Sequence, residues 1–204
     1  MNRKYYILVG LVIVAGVMIS FSTLNQSQKE VLPQEENIRL ANLEANELVW
    51  YSVNDGLELQ AKEGKKLFID VYTNWCGPCK WLDKNTFSHP VIQEKLAAYF
   101  IPVKFNAEGN DTIRFNGQVF VNQNPNAAAR MSTHDFTPYI ASTARGISYP
   151  TMVFLNEKLE MIQPLTGALA PRQLEPILEF IGADHYLTTP WEDFLATYTY
   201  QIQE

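Results

Sequence analysis

Cysteine occurs only twice in these 204 residues, histidine three times, and nowhere do lysine and arginine gather into a basic cluster. The last shortage bears on partners. With a net charge of −6 and a pI near 5.1, the chain has no patch able to displace counterions from phosphates, which excludes a nucleic-acid binder and leaves solubility as the role of the acidity. His89, His134 and His185 are scattered among loop-like segments and read as surface imidazoles with no catalytic task. No internal repeat is visible. Hydrophobic residues are not scarce: at 47% they are ample for a packed core and rule out disorder throughout.

With so few thiols, their arrangement carries the information. Both lie in Trp75-Cys76-Gly77-Pro78-Cys79-Lys80. Two thiols three positions apart at a strand-to-helix junction can close into a small disulfide ring and open again, the minimum machinery for moving two electrons. A permanent stabilising bridge fits poorly, because so small a ring removes little entropy from the unfolded chain. A metal half-site fits poorly as well, since no second Cys-x-x-Cys and no nearby Cys-x-His completes four ligands. Thiol-disulfide exchange is the leading reading, with no cofactor beyond a redox-active Cys76–Cys79 disulfide and no metal.

A separate message stands at the N-terminus. Arg3 and Lys4 precede an apolar run, Tyr5 to Phe21, whose only ionisable groups are the tyrosines Tyr5 and Tyr6. Its length falls between a signal-peptide core of about 7 to 15 residues and a spanning helix of about 17 to 25. Residues 1–22 are therefore either a membrane anchor or a signal peptide, with Ser20 and Ser22 offering a poor cleavage site. A core helix is disfavoured because no polar face interrupts the run. Arg3 and Lys4 stay in the cytoplasm under the positive-inside bias, which places the remainder on the extracytoplasmic, periplasmic side. Residues 23–46, rich in Gln, Asn and Glu, read as a linker, and residues 47–204 as the domain.

Within the domain, Trp50, Val53, Leu57 and Ala61 recur at helical spacing and Gly64 ends that helix. Leu67 to Tyr72 is a buried strand. Cys79 to Asn85 reads as helix, and Pro90 opens another at its first position. Ile101 to Asn106 is the next strand, parallel to Leu67–Tyr72 because a helical crossover separates them. Thr112 to Val121 alternates around Asn116-Gly117, a type I′ hairpin signal. Asn126 to about Arg145 reads as mostly helical. Thr151–Leu155 and Leu159–Gln163 form a hairpin, Gln173–Ile181 a helix with Gly182 beyond its end, and a last helix opens at Thr189-Pro190-Trp191 as a C-terminal extension.

Strand, WCGPCK, helix, an X-Pro before a hairpin and a terminal helix, in that order, resemble the thioredoxin family over about Trp50 to Ile181. Phe68-Ile69-Asp70-Val71-Tyr72 and Asn85-Thr86-Phe87-Ser88-His89-Pro90 look most like the periplasmic thioredoxin-like domains of membrane thiol:disulfide interchange proteins. The resemblance implies an α/β thioredoxin-like fold: a central mixed sheet flanked by helices, here with an inserted β-hairpin before the cis-Pro strand. It implies protein thiol or disulfide substrates and a membrane electron donor.

The residues and the resemblance together assign roles. Cys76, just before a helix, has unpaired N–H groups and the positive end of the helix dipole to favour a thiolate, and the family makes this exposed first cysteine the attacker. The more covered Cys79 resolves the mixed disulfide. Gly77 and Pro78 stiffen the turn. Asp70 interrupts an apolar strand; buried, its carboxyl would have a raised pKa, and it matches the family's buried aspartate that deprotonates the second cysteine. At the strand end it would instead face solvent. Lys104 matches the lysine accompanying that aspartate, or is an exposed strand lysine. Tyr149-Pro150 matches the cis-proline element that offers its backbone to the substrate chain, with a bulky aromatic in place of the usual aliphatic residue. Trp75 shields the cysteines and contacts substrate, and Gly167 matches a glycine lining the substrate groove. The interval Lys104–Pro150 is longer than in plain thioredoxin; its hairpin has two readings, partner selection and cover for a hydrophobic sheet face. Gly-Pro between the cysteines resembles reducing members; a disulfide oxidase or isomerase, and a non-catalytic binding module, are the alternatives.

Overall fold

Leu67 to Tyr72 is apolar except for Asp70, the pattern of a strand covered on both faces. In the computed structural model, which describes residues 48–203, this segment is β1 (Lys66–Tyr72), an inner strand of a four-stranded sheet. The segments expected as an N-terminal anchor or signal and as a linker lie outside the described residues, and among the described residues no helix is long and apolar enough to cross a membrane. β1 pairs in parallel with β2 (Phe100–Asn106) and antiparallel with β5 (Thr151–Leu155), which pairs antiparallel with β6 (Met161–Thr166), so the order is β2-β1-β5-β6. The sheet is mixed, as the resemblance implied.

The period of two sorts β1 between two cores. Leu67, Ile69 and Val71 join Ile101, Val103 and Val153 under α1 (Val53–Glu63). Ser52 caps α1, its Oγ accepting the Asp55 N–H at 3.2 Å, and Gly64 ends it at φ 65°. Phe68 sits in the other core with Phe100 and Phe154, ring centroids 6.3 and 5.1 Å away, under α2 (Gly77–Leu82), its π-helical continuation Asp83–Phe87, and α3 (Pro90–Tyr99). Each buried phenylalanine contributes roughly 1.5 to 3 kcal/mol of burial energy. Alternation puts Asp70 on the Phe68 side, the side of α2.

The insertion holds two expectations that fail. β3 (Ile113–Phe115) and β4 (Gln118–Phe120) form the expected hairpin, with Asn116 at φ 48° and Gly117 at φ 76°. Ile113, Phe115 and Phe120 are buried in the α1-side core, where Phe115 and Phe120 lie 5.4 and 5.2 Å from Phe136; the hairpin covers an apolar face. The helix expected over 126–145 exists only as α4 (Phe136–Ala141). Before it the chain is held by side chains: Asn122 Nδ2 donates to Gly109 O at 3.0 Å and to Ser132 Oγ at 2.7 Å. His134, expected at the surface, is fully buried, Nδ1 accepting the Phe136 N–H at 3.0 Å and Nε2 paired with Asp111 O at 2.7 Å. An imidazole satisfied at both nitrogens can be buried without penalty. Pro138 sits in the first turn of α4, where a missing N–H costs nothing.

The second strand of the β5–β6 hairpin begins at Met161, because Asn156 Oδ1 accepts the N–H groups of both Lys158 and Glu160 and Leu159 turns at φ 62°. α5 (Pro171–Gly182) includes Gly182 as its last residue rather than ending before it. A Cβ there would stand 2.4 Å from Tyr99 Cγ, so the glycine is required by close packing of α5 on α3. α6 (Trp191–Thr197) follows, and the tail returns to α5, where the fully buried Glu175 carboxylate accepts from Tyr198 Oη, Gln201 N and Ile202 N at 3.0, 2.6 and 3.1 Å.

Candidate active site

The site forms where β1 turns into α2. Thr73 O accepts the Cys76 N–H at 3.1 Å, closing the turn, and Cys76 becomes the N-cap of α2, with Gly77 and Pro78 in its first turn. Cys76 and Cys79 are disulfide-bonded, S–S 2.04 Å, with Cα atoms 5.3 Å apart. Cys76 Sγ accepts the Cys79 N–H at 3.1 Å. A helix N-terminus directs N–H groups and positive potential at that sulfur, which favours its thiolate once the bond opens. One expectation needs correction: Cys76 is not the exposed member of the pair, since it is 3% exposed against 2% for Cys79. The bond to Cys79 and the N–H contact turn its sulfur onto the helix rather than toward water.

Asp70 is 0% exposed. Its Oδ2 accepts from Lys104 Nζ at 2.7 Å, while Oδ1 has no partner. Burial pushes its carboxyl above the usual range; Lys104 pulls the other way, and the charge of Asp83 pushes upward again. The upward direction prevails because burial is the largest influence, and Lys104 also pairs with Asp83. Asp83 donates its N–H to Cys79 O, so the network runs from the helix of the cysteines to the strand beneath. Lys104 Nζ lies 4.7 Å from the Trp50 ring centroid and 5.0 Å from that of Phe87, an aromatic box that holds a cation away from bulk water.

Across the turn, the Tyr149–Pro150 peptide bond is cis. Pro150 O accepts the N–H of Gly167 at 2.8 Å, and Gly167 adopts φ 92°, which favours glycine. The Tyr149 ring meets the Trp75 ring edge-to-face at 5.9 Å. Burial, and then the charge of Glu108, raise the Tyr149 pKa. Trp75 is half-buried; its Nε1 donates to Glu108 Oε1 at 3.0 Å, and Arg130 lies over its ring, Cζ 4.4 Å from the centroid.

The structure thus gathers Trp75, Gly77, Pro78, Tyr149, Pro150 and Gly167 around the turn, and links Asp70 to Lys104 below it. Asp83, Glu108 and Arg130 were not singled out from the sequence. A signal existed for Asp83, four residues after Cys79 and so on the same helical face; none existed for the other two. Among the described residues, no group of His, Cys, Asp and Glu could hold a metal ion. The arrangement can make and break one disulfide, with a buried carboxyl tied to the helix of the second cysteine.

Comparison with known proteins agrees with this geometry. A family model described as thioredoxin-like matches residues 49–156, more than half of the chain. The thiol:disulfide interchange protein DsbD of Actinobacillus pleuropneumoniae is 40% identical over 57 residues, 26% of this chain and 10% of that protein. DsbD of Pectobacterium atrosepticum is 32% identical over 89 residues, 44% of this chain and 15% of that protein. The chain therefore spans a small fraction of these relatives' length. Among solved structures, a thioredoxin from Thermus thermophilus has a TM-score of 0.48 at 19% identity, covering 66% of this chain and 86% of its own.

Proposed function

Because the chain belongs to the thioredoxin-like family of disulfide oxidoreductases, we propose that it reduces disulfides in other proteins on the extracytoplasmic side of a membrane, with electrons supplied by a membrane donor. The observation that carries the reading is the Cys76–Cys79 disulfide at the N-terminus of α2 beside the cis-proline. The apolar run from Tyr5 to Phe21 behind Arg3 and Lys4 supports the location, and Gly77-Pro78 between the cysteines supports the direction.

In the reduced protein, the Cys76 thiolate attacks one sulfur of a substrate disulfide. A new S–S bond forms, the substrate bond breaks, and the departing sulfur leaves as a thiolate that takes a proton from solvent. Cys79 gives up its proton to the Asp70 carboxylate, directly or through water, and its sulfur attacks Cys76 Sγ. The second substrate thiolate leaves. Two electrons have passed to the substrate, and the protein holds the 76–79 disulfide until a reductant reopens it. The test is reduction of insulin by dithiothreitol with and without the full chain. Acceleration that disappears in Cys76→Ser is expected; a rate no faster than dithiothreitol alone would refute exchange and leave a binding module.

A further inference from the structure

Beside the tryptophan that precedes the nucleophile, the insertion presents one cation in a prepared posture. We propose that Arg130 is a specificity-determining residue that reads an acidic side chain placed within two residues of the partner's reacting cysteine; the inference rests on the exchange function proposed above and deepens it. Its geometry and charge carry it. The Arg130 guanidinium is exposed and lies flat enough on Trp75 to put Cζ 4.4 Å from the ring centroid. Stacking leaves the edge of the guanidinium, a planar fork of N–H donors matched to a carboxylate, directed away from the ring. Among the described residues Arg130 forms no ion pair.

The posture is fixed from below. Arg130 adopts φ 71°, uncommon for a residue with a side chain, and its N–H donates to Glu108 Oε1 at 2.5 Å. The same oxygen accepts from Trp75 Nε1. One carboxylate therefore locks both members of the stack through two N–H groups. The cleft beside the stack, about 360 Å³, is lined by Asn74, Trp75, Asn106, Glu108 and Ser132 with small residues of the 125–129 segment. It has room for a side chain of the partner beside Trp75, the neighbour of Cys76 in the chain. On a protein of net charge −6, a cation with no ion-pair partner among the described residues at this place orients an acidic segment toward the cysteines rather than elsewhere on the surface.

The experiment uses the full chain, reduced, and two peptide disulfide dimers that differ only in carrying Glu or Gln on each side of the cysteine. Neighbouring carboxylates alter the peptide thiol itself, so the Glu-to-Gln ratio of kcat/KM measured with Arg130→Gln is the chemical baseline. At low salt the parent ratio should exceed that baseline about tenfold, equivalent to roughly 1.4 kcal/mol, and the excess should shrink with added salt. Arg130→Glu should take the ratio below the baseline. In parallel, fluorescence anisotropy measures affinity for the same sequences with serine in place of cysteine, and the same preference is expected. Equal ratios in the parent and Arg130→Gln, by both readouts, overturn the inference. Absence of turnover with the binding preference intact would refute exchange and uphold the carboxylate site.

Discussion

Replacing Asp70 by asparagine isolates the most consequential electrostatic feature of the fold. The disulfide form is the state to measure, because neither bonded cysteine titrates. Folded Asp70 has no exposure, one ion-pair partner at 2.7 Å and one oxygen without any, and its carboxyl is held above the usual range, first by burial. In the unfolded chain an aspartate titrates at about 3.9. Between that pH and the folded pKa the folded protein binds one more proton than the unfolded chain, so stability falls as pH rises, by about 1.4 kcal/mol per pH unit, and levels off once the folded carboxyl ionises. Asp70→Asn abolishes this loss. Near pH 4 the two proteins carry the same charge and shape at this position and should agree within about 1 kcal/mol; from there upward the variant gains on the parent with the stated slope. Urea unfolding followed by far-UV circular dichroism from pH 4 to 8 reads the difference, in which other titrating groups largely cancel. Asp83→Asn, by removing a charge that helps to raise Asp70, should shorten the window. A difference flat from pH 4 to 8 would show that Asp70 is not a buried acid of raised pKa.

Cys79→Ser should leave partners joined to Cys76 as mixed disulfides, seen as non-reducing gel bands that vanish on reduction, whereas Cys76→Ser should trap none; equal capture by both would reverse the order of attack. Glu175→Ala orphans the two backbone N–H groups of Gln201 and Ile202 and should cost about 2 to 4 kcal/mol, with loss of amide-exchange protection concentrated at 198–202; unchanged protection there would refute the anchoring role. Gly182→Ala forces a Cβ to within 2.4 Å of Tyr99 and should cost about 1 to 3 kcal/mol, lowering Tm by roughly 2 to 8 °C. An unaltered Tm would mean that α5 and α3 are not so closely packed.

What the sequence made legible follows from the range of the forces involved. β1, the turn at Cys76, the start of α3 at Pro90 and the Asn116-Gly117 hairpin each rest on neighbours a few positions away, and each stands where its local chemistry puts it. Residues 121–135 do not. Their path is set by Asn122, by Ser132 and by His134, whose N–H reaches Ala107 O at 2.8 Å; bonds to sites distant in sequence leave no periodicity to read. The same segment contains Arg130, and its partner Glu108 lies on the far side of a hairpin, so their meeting over Trp75 had no local trace. Gly182 was misplaced by one position for a related reason: its role is contact with Tyr99, not the end of a helix. The burial of Cys76 was hidden because it depends on the closed ring.

The chemistry consequently divides between two layers of different legibility. The six-residue motif supplies the sulfurs and the helix N-terminus, and any chain with that motif and fold would have them. One layer down, Lys104 is shared between Asp70 on β1 and Asp83 at the end of α2. Asp83 binds the Cys79 carbonyl through its N–H, so any shift of α2 on opening the disulfide also changes its distance from Lys104. Proton affinity at Asp70 and the helix that carries Cys79 are therefore linked through one cation.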